Sequence, residues 1–171
     1  MNREQANEFK VALEKGLRKI AKEQRGGKTE WTATVKKCLL EVANEFHFSS
    51  NCHMSLPIHL KYDKHDNHEW LCDVMVYDAT KEGIKEIILC AESEWSTNAD
   101  EIFWDFSKLL VIKSKFHLMV YNATKENNVL EELKEYIKSS EVCQGDETYL
   151  FASYPKECDE QLQFDEYKKE T

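Results

Sequence analysis

Apolar residues recur every three or four positions at Phe9, Leu13, Leu17, Ile20 and Ala21, a spacing that predicts a helix from Gln5 to Gln24 stopped by Gly26-Gly27. A second helix is expected after Thr29 as its N-cap, with Trp31, Val35, Cys38, Leu39, Val42 and Phe46 on one stripe and its end near His47. Met54 to Tyr62 reads as a strand interrupted by Pro57, hence an edge strand, and Asp63 to His68 as a polar turn. From Glu69 to Tyr77 both alternating sets are apolar: Trp70, Cys72, Val74 and Val76 against Leu71, Met75 and Tyr77. That pattern marks a strand buried on both faces, and Asp73 is the exception within it. After a turn from Asp78 to Gly83, Lys85 to Trp95 forms another central strand, whose distal Glu92 and Glu94 share a face because side chains alternate with period two. A helix from Asp100 to Lys113, a strand from Phe116 to Tyr121, a helix from Glu126 to Ser139 and a strand from Thr148 to Tyr154 follow. The acidic tail, residues 156–171, is expected to be partly disordered.

The order α, α, β, β, β, α, β, α, β predicts an α/β fold: a three-strand meander, then a helix crossing to a further strand, giving a mixed central sheet flanked by helices. The length suits a single domain over residues 1–171, with 1–28 as an N-terminal helical addition and 29–122 as the core. With 42% hydrophobic residues and only 5 Gly and 2 Pro, long regular elements should dominate over turn-rich architecture. No apolar run approaches a membrane span, and Met1 to Lys10 has no export-type hydrophobic segment, so a cytoplasmic location with reduced cysteines is expected. The net charge of −9 is unevenly spread: residues 1–37 carry +5 and the rest −14. An acidic body repels a polyanion, so a nucleic-acid partner requires local patches, metal ions or a partner subunit, as in a homodimer or a complex. The basic Arg18, Lys19, Lys22, Arg25 and Lys28 are the candidate contact, against the plainer alternative of a solvated helix face.

Burying a carboxylate unpaired costs several kcal/mol, so Asp73 needs a partner. A divalent cation is one; Glu92 and Glu94 would add oxygen ligands of the kind that hard Mg²⁺ or Mn²⁺ prefers. The alternative is that Asp73 pairs with a Lys or a backbone N–H while the two glutamates lie at an exposed strand end. Cys52, His53, His59, His65 and His68 fit no closed zinc pattern. There is no Gly-rich phosphate loop or G-x-S-x-G elbow. Trp70, Trp95 and Trp104 fall in periodic apolar segments and are expected in the core.

An Asp on the second strand, followed about twenty residues later by Glu-x-Glu at the end of the third, resembles the PD-(D/E)XK nuclease superfamily. More narrowly, Glu30-Trp31-Thr32, Glu69-Trp70-Leu71-Cys72-Asp73, Ala91-Glu92-Ser93-Glu94-Trp95 and Asp105-Phe106-Ser107-Lys108-Leu109-Leu110 resemble the motifs of a sparsely characterised bacterial group in that superfamily. The resemblance covers residues 29–122 and implies an αβββαβ restriction-endonuclease-like core and a metal-dependent phosphodiester hydrolase acting on nucleic acid. It implies Asp73 and Glu92 as metal ligands, with Glu30 and Glu94 as further acids, and Mg²⁺ or Mn²⁺ as cofactor. Glu94 replaces the usual terminal Lys, and Lys108 on the following helix is the candidate substitute; it can also snorkel or pair with Asp105 or Asp73. The second function carried forward is a non-catalytic protein that uses the same fold to bind a partner, as an inhibitor or as a subunit of a defence or repair complex.

Overall fold

Among the residues that the computed structural model describes, 1–23, 28–52, 71–123, 128–143, 145–155 and 162–169, the chain runs α1 (Arg3–Glu23), α2 (Lys28–Glu45), β1 (Ser49–Cys52), β2 (Val74–Thr80), β3 (Gly83–Glu94), α3 (Ala99–Leu110), β4 (Phe116–Ala123), α4 (Val129–Ser139), β5 (Thr148–Pro155) and β6 (Gln163–Lys168). The six strands form one sheet in chain order. β1, β2 and β3 are antiparallel; β3, β4 and β5 are parallel; β6 returns antiparallel to β5. The two parallel steps are made by α3 and α4, as parallel strands need crossover connections.

Strand alternation sorts the core into two layers. Val74, Val76, Leu89, Ala91, Leu118, Val120, Leu150 and Ala152 pack with α1 and α2. On the other face Met75, Cys90, Met119, Tyr121, Tyr149 and Phe151 pack with α3 and α4. The expected mixed α/β sheet flanked by helices is therefore present.

Five expectations change in detail. α1 is more than an appendage: Phe9, Leu13 and Leu17 are fully buried, and Gly16 lets α1 approach α2 so closely that a Cβ there would lie 2.6 Å from the Cys38 sulfur. α2 begins at Lys28, so Thr29 lies inside it instead of capping it. β2 begins at Val74, placing Asp73 just before the strand, because the Asp73 carboxylate takes the Ser93 N–H that a continuing ladder would use. Within the tail, expected to be partly disordered, a strand not foreseen is present: Gln163–Lys168 pairs with β5, Phe164 packing against one layer and Tyr167 against the other. The β2–β3 turn also shrinks to Lys81-Glu82, with Gly83 at φ 134°, a backbone conformation that side-chain-bearing residues avoid. The strand expected at 54–62, the His-rich turn and Trp70 lie outside the described residues.

Candidate active site

The carboxyl end of β3 gathers the predicted acids. The register of β2 on β3 ends at Val74↔Ala91, with Asp73 and Glu92 the next residue on each side. Asp73 Oδ2 accepts hydrogen bonds from the Ser93 backbone N–H at 3.0 Å and the Ser93 hydroxyl at 2.9 Å, while Oδ1 meets Lys36 Nζ of α2 at 2.8 Å. Both partners of the plainer alternative, a Lys and a backbone N–H, are thus present.

Glu92 is 3% exposed, so its position at a strand end does not place it in solvent. Its Oε1 lies 3.2 Å from Lys108 Nζ, yet that oxygen is buried and accepts no well-formed hydrogen bond. Lys108 is held more closely by Asp105, at 2.6 Å. Burial, then the nearby Asp73 charge and Asp105, push the Glu92 carboxyl up to about 8, with Lys108 pulling the other way. Burial would lower the Lys108 ammonium, but the hydrogen bond to Asp105 and the charges of Glu92 and Asp105 outweigh it and hold Lys108 above its ordinary range. Glu94 points to the same face as Glu92, as the alternation predicts. It accepts the Ser96 N–H at 2.5 Å, and burial followed by its hydrogen bond with Asp105 raises its carboxyl.

Glu92, Glu94 and Lys108 are therefore joined through Asp105, while Asp73 is held by Lys36 and Ser93 and acts on Glu92 through its charge. Glu30 is exposed in the first turn of α2, outside this network of contacts; α2 reaches the acids through Lys36 instead. Sequence reasoning missed the buried Lys36, whose one signal is that it heads the helical stripe Leu39, Leu40 and Ala43. The flank assigned to Lys108 divides: Ile112 is buried, but Val111 is 67% and Trp104 71% exposed. Trp104 is thus not a core aromatic. Trp95 is, packing with Trp31 and Tyr154 at centroid distances of 5.3 Å, with its indole N–H buried and unpartnered.

Among the described residues, no group of three or more His, Cys, Asp or Glu side chains is arranged to hold a metal ion. Mg²⁺, however, is commonly bound by one or two carboxylates together with water and substrate phosphate oxygens. Glu92, with a buried oxygen without a hydrogen bond, and the neighbouring Asp73, whose charge acts on it, are a donor set that fits this mode.

A second polar group, Ser114, His117 and Glu147, is buried beyond the other end of the strands. It is not a nucleophilic triad. The Ser114 hydroxyl donates to Phe116 O at 2.8 Å, and its oxygen lies 3.3 and 3.4 Å from the two His117 ring nitrogens, aligned with neither lone pair. Tyr149 stacks on that ring with centroids 4.6 Å apart. The group is packed core.

No known protein family, curated protein or solved structure matches the chain.

Proposed function

We propose that the protein is a metal-dependent phosphodiester hydrolase acting on nucleic acid, built on a restriction-endonuclease-like αβββαβ core. The observation that carries this reading is the Glu92 carboxyl, buried at the carboxyl end of β3 with Asp73 near enough for its charge to act on it and Lys108 against it. The order α2, β1, β2, β3, α3, β4, with a meander followed by a parallel step, supports the fold assignment. Four buried free thiols, Cys38, Cys72, Cys90 and Cys143, suit a reducing, cytoplasmic setting. No helix among the described residues is long and apolar enough to cross a membrane.

Asp73 and Glu92 would hold Mg²⁺ or Mn²⁺, with Glu94 adjacent. A divalent cation there supplies Lewis acidity and makes water a better nucleophile at neutral pH. Lys108, released from Glu92, offers its ammonium to the charge that develops on the phosphate oxygens, while Asp105 keeps it positioned. Glu94, its carboxyl raised by burial, accepts the proton of the attacking water. Lys36 and Ser93 hold the Asp73 carboxylate in a fixed orientation. No protein nucleophile is used.

The test is cleavage of single- and double-stranded DNA and RNA with Mg²⁺ or Mn²⁺. Activity should vanish with chelator and in Asp73→Asn and Glu92→Gln. Lys108→Ala should lose roughly 10²-fold in rate while still binding the cation by calorimetry. Absence of cleavage of all four substrates with either metal would overturn the hydrolase reading.

One observation favours the second reading, a non-catalytic partner-binding protein: both acids are already faced by lysines, Lys36 at 2.8 Å and Lys108 at 3.2 Å. On that reading Mn²⁺ leaves the melting temperature unchanged, whereas a cation site raises it by mass action.

A further inference from the structure

The basic face of α1 has no part in the site described above. Lys15, Lys19 and Lys22 are exposed on the carboxyl-terminal half of the helix and form no ion pair among the described residues, while Arg18 beside them is matched by Glu14 at 2.8 Å. An open groove of about 470 Å³ runs along this face, lined by Val11, Glu14, Lys15, Arg18, Lys19 and Lys22. The three lysines follow one another at about 6 and 4.5 Å along the helix axis, a spacing that suits a row of anions better than one. At the opposite end of the sheet, cations are matched instead: Lys10 and Lys168 meet Glu166, and Lys85 meets Asp78. Where the α1 face lies is specific. α1 starts over the amino ends of the parallel strands, with Phe9 against Phe116 of β4 at a centroid distance of 5.9 Å. It ends over their carboxyl ends, where the Tyr154 hydroxyl of β5 donates to Leu17 O at 3.2 Å. Tyr154 in turn packs on Trp95, which directly follows Glu94. The lysines and the acids therefore share one end of the sheet, with α1 on one face and Lys108 of α3 on the other. In open α/β sheets the carboxyl ends of the strands are where ligands bind.

We infer that Lys15, Lys19 and Lys22 take backbone phosphates of a nucleic-acid strand whose scissile phosphate lies at the Glu92–Lys108 site, so that α1 is a second substrate contact. The inference rests on the hydrolase reading above. Charge complementarity selects the occupant. On a chain of net charge −9 a polyanion needs a local surplus of cations, and three uncompensated ammoniums stand at the end of the sheet where the reaction is placed. A polymer carries a charge on every nucleotide, so it can meet the lysines in series while it occupies the acid site.

The experiment measures binding of the full chain to end-labelled DNA and RNA, each single-stranded and duplex, by anisotropy over a range of salt with Ca²⁺ in place of Mg²⁺. Cleavage with Mg²⁺ or Mn²⁺ is measured alongside. The triple variant Lys15→Gln, Lys19→Gln, Lys22→Gln should flatten the slope of log affinity against log salt by about 2 for a single strand and about 3 for a duplex, a loss of roughly 10²-fold or more at 0.1 M salt. Arg at the same three positions should restore both slope and affinity. Gln at Lys81, Lys85 and Lys113, exposed at the other end of the sheet, changes the net charge equally and should leave the slope as in wild type. In cleavage the α1 variant should raise KM and keep kcat, because its lysines touch no reacting atom. Wild-type affinity and slope in the α1 variant, or an equal loss in the variant at Lys81, Lys85 and Lys113, overturns the α1 contact and, with cleavage intact, leaves the hydrolase standing. Loss of binding confined to the α1 variant, with no cleavage by the wild type, keeps the contact and overturns the hydrolase. A wild type that binds none of the four nucleic acids overturns both, and the α1 face is then a contact for an acidic protein.

Discussion

Glu92 is where burial and charge conflict most sharply. Its carboxyl is pushed to about 8 by burial first and by Asp73 next, so near neutral pH it is largely protonated, and Asp105 keeps Lys108 in place in either state. Because this value lies above the ordinary 4.5, the folded chain keeps a proton that the unfolded chain releases. The stability from the neutral carboxyl is full below about 4.5 and is lost as pH rises through about 8. His117 acts with the opposite sign: burial lowers it from 6.5 to about 4, so its contribution is full above 6.5 and is lost as pH falls through about 4. Melts of wild type and Glu92→Gln from pH 4.5 to 8.5 share the His117 term, so their difference isolates Glu92. Wild type should lose a few kcal/mol relative to the variant as pH rises; parallel curves would show that Glu92 titrates normally. The same residue explains what was legible here. Asp73, Glu92 and Glu94 interrupt an apolar alternation and so announce themselves, whereas Lys36 hides in a helix, where a lysine ordinarily snorkels outward. Trp104 was misplaced because apolar spacing on a helix cannot distinguish a second buried flank from an exposed one.

At the scale of elements, most strands and helices fall within a few residues of where periodicity puts them, because each buries one alternating set or one stripe. The errors sit where a local hydrogen bond overrides the pattern. Asp73 ends the β2 ladder with its side chain, and β6 hides because Phe164 and Tyr167 are separated by charged residues and packed on opposite layers. The end of α2 is a similar case, closed without the usual glycine. Phe48 N–H reaches Ala43 O at 2.9 Å and His47 N–H reaches Asn44 O at 3.0 Å, the two bonds of a Schellman motif. His47 occupies the left-handed position at φ 59°, which costs a residue with a Cβ about 1 kcal/mol or more relative to glycine. His47→Gly should therefore leave the fold unchanged and raise stability by about 0.5–1 kcal/mol, net of the extra freedom of glycine in the unfolded chain. Denaturant titration checks this, and a lower midpoint at unchanged slope would mean that the imidazole makes a contact worth more than the backbone strain.

For the whole molecule, the charge asymmetry and the core make opposite demands on α1. The basic residues of the first 37 positions suggest a detachable contact arm, and the outward Lys15, Lys19 and Lys22 are indeed exposed. Arg18 is already committed, to Glu14 and to Leu162 O, which ties α1 to the segment leading into β6. Tyr154 adds a hydrogen bond from β5 to Leu17 O at 3.2 Å. Beneath these, Phe9, Leu13 and Leu17 are fully buried, and removing three such side chains costs roughly 5–9 kcal/mol, comparable to the 5–15 kcal/mol that holds a typical domain together. Deleting residues 1–25 should therefore abolish the cooperative melt. Replacing Lys15, Lys19 and Lys22 together by Gln should leave the melting temperature within a few degrees of wild type, because these side chains bury nothing. If the triple variant keeps its fold but loses salt-dependent binding to single-stranded DNA, the outer face of α1 is part of the nucleic-acid contact as well as of the fold. If the deletion instead melts cooperatively near the wild-type temperature, α1 is an appendage and its burial contributes little.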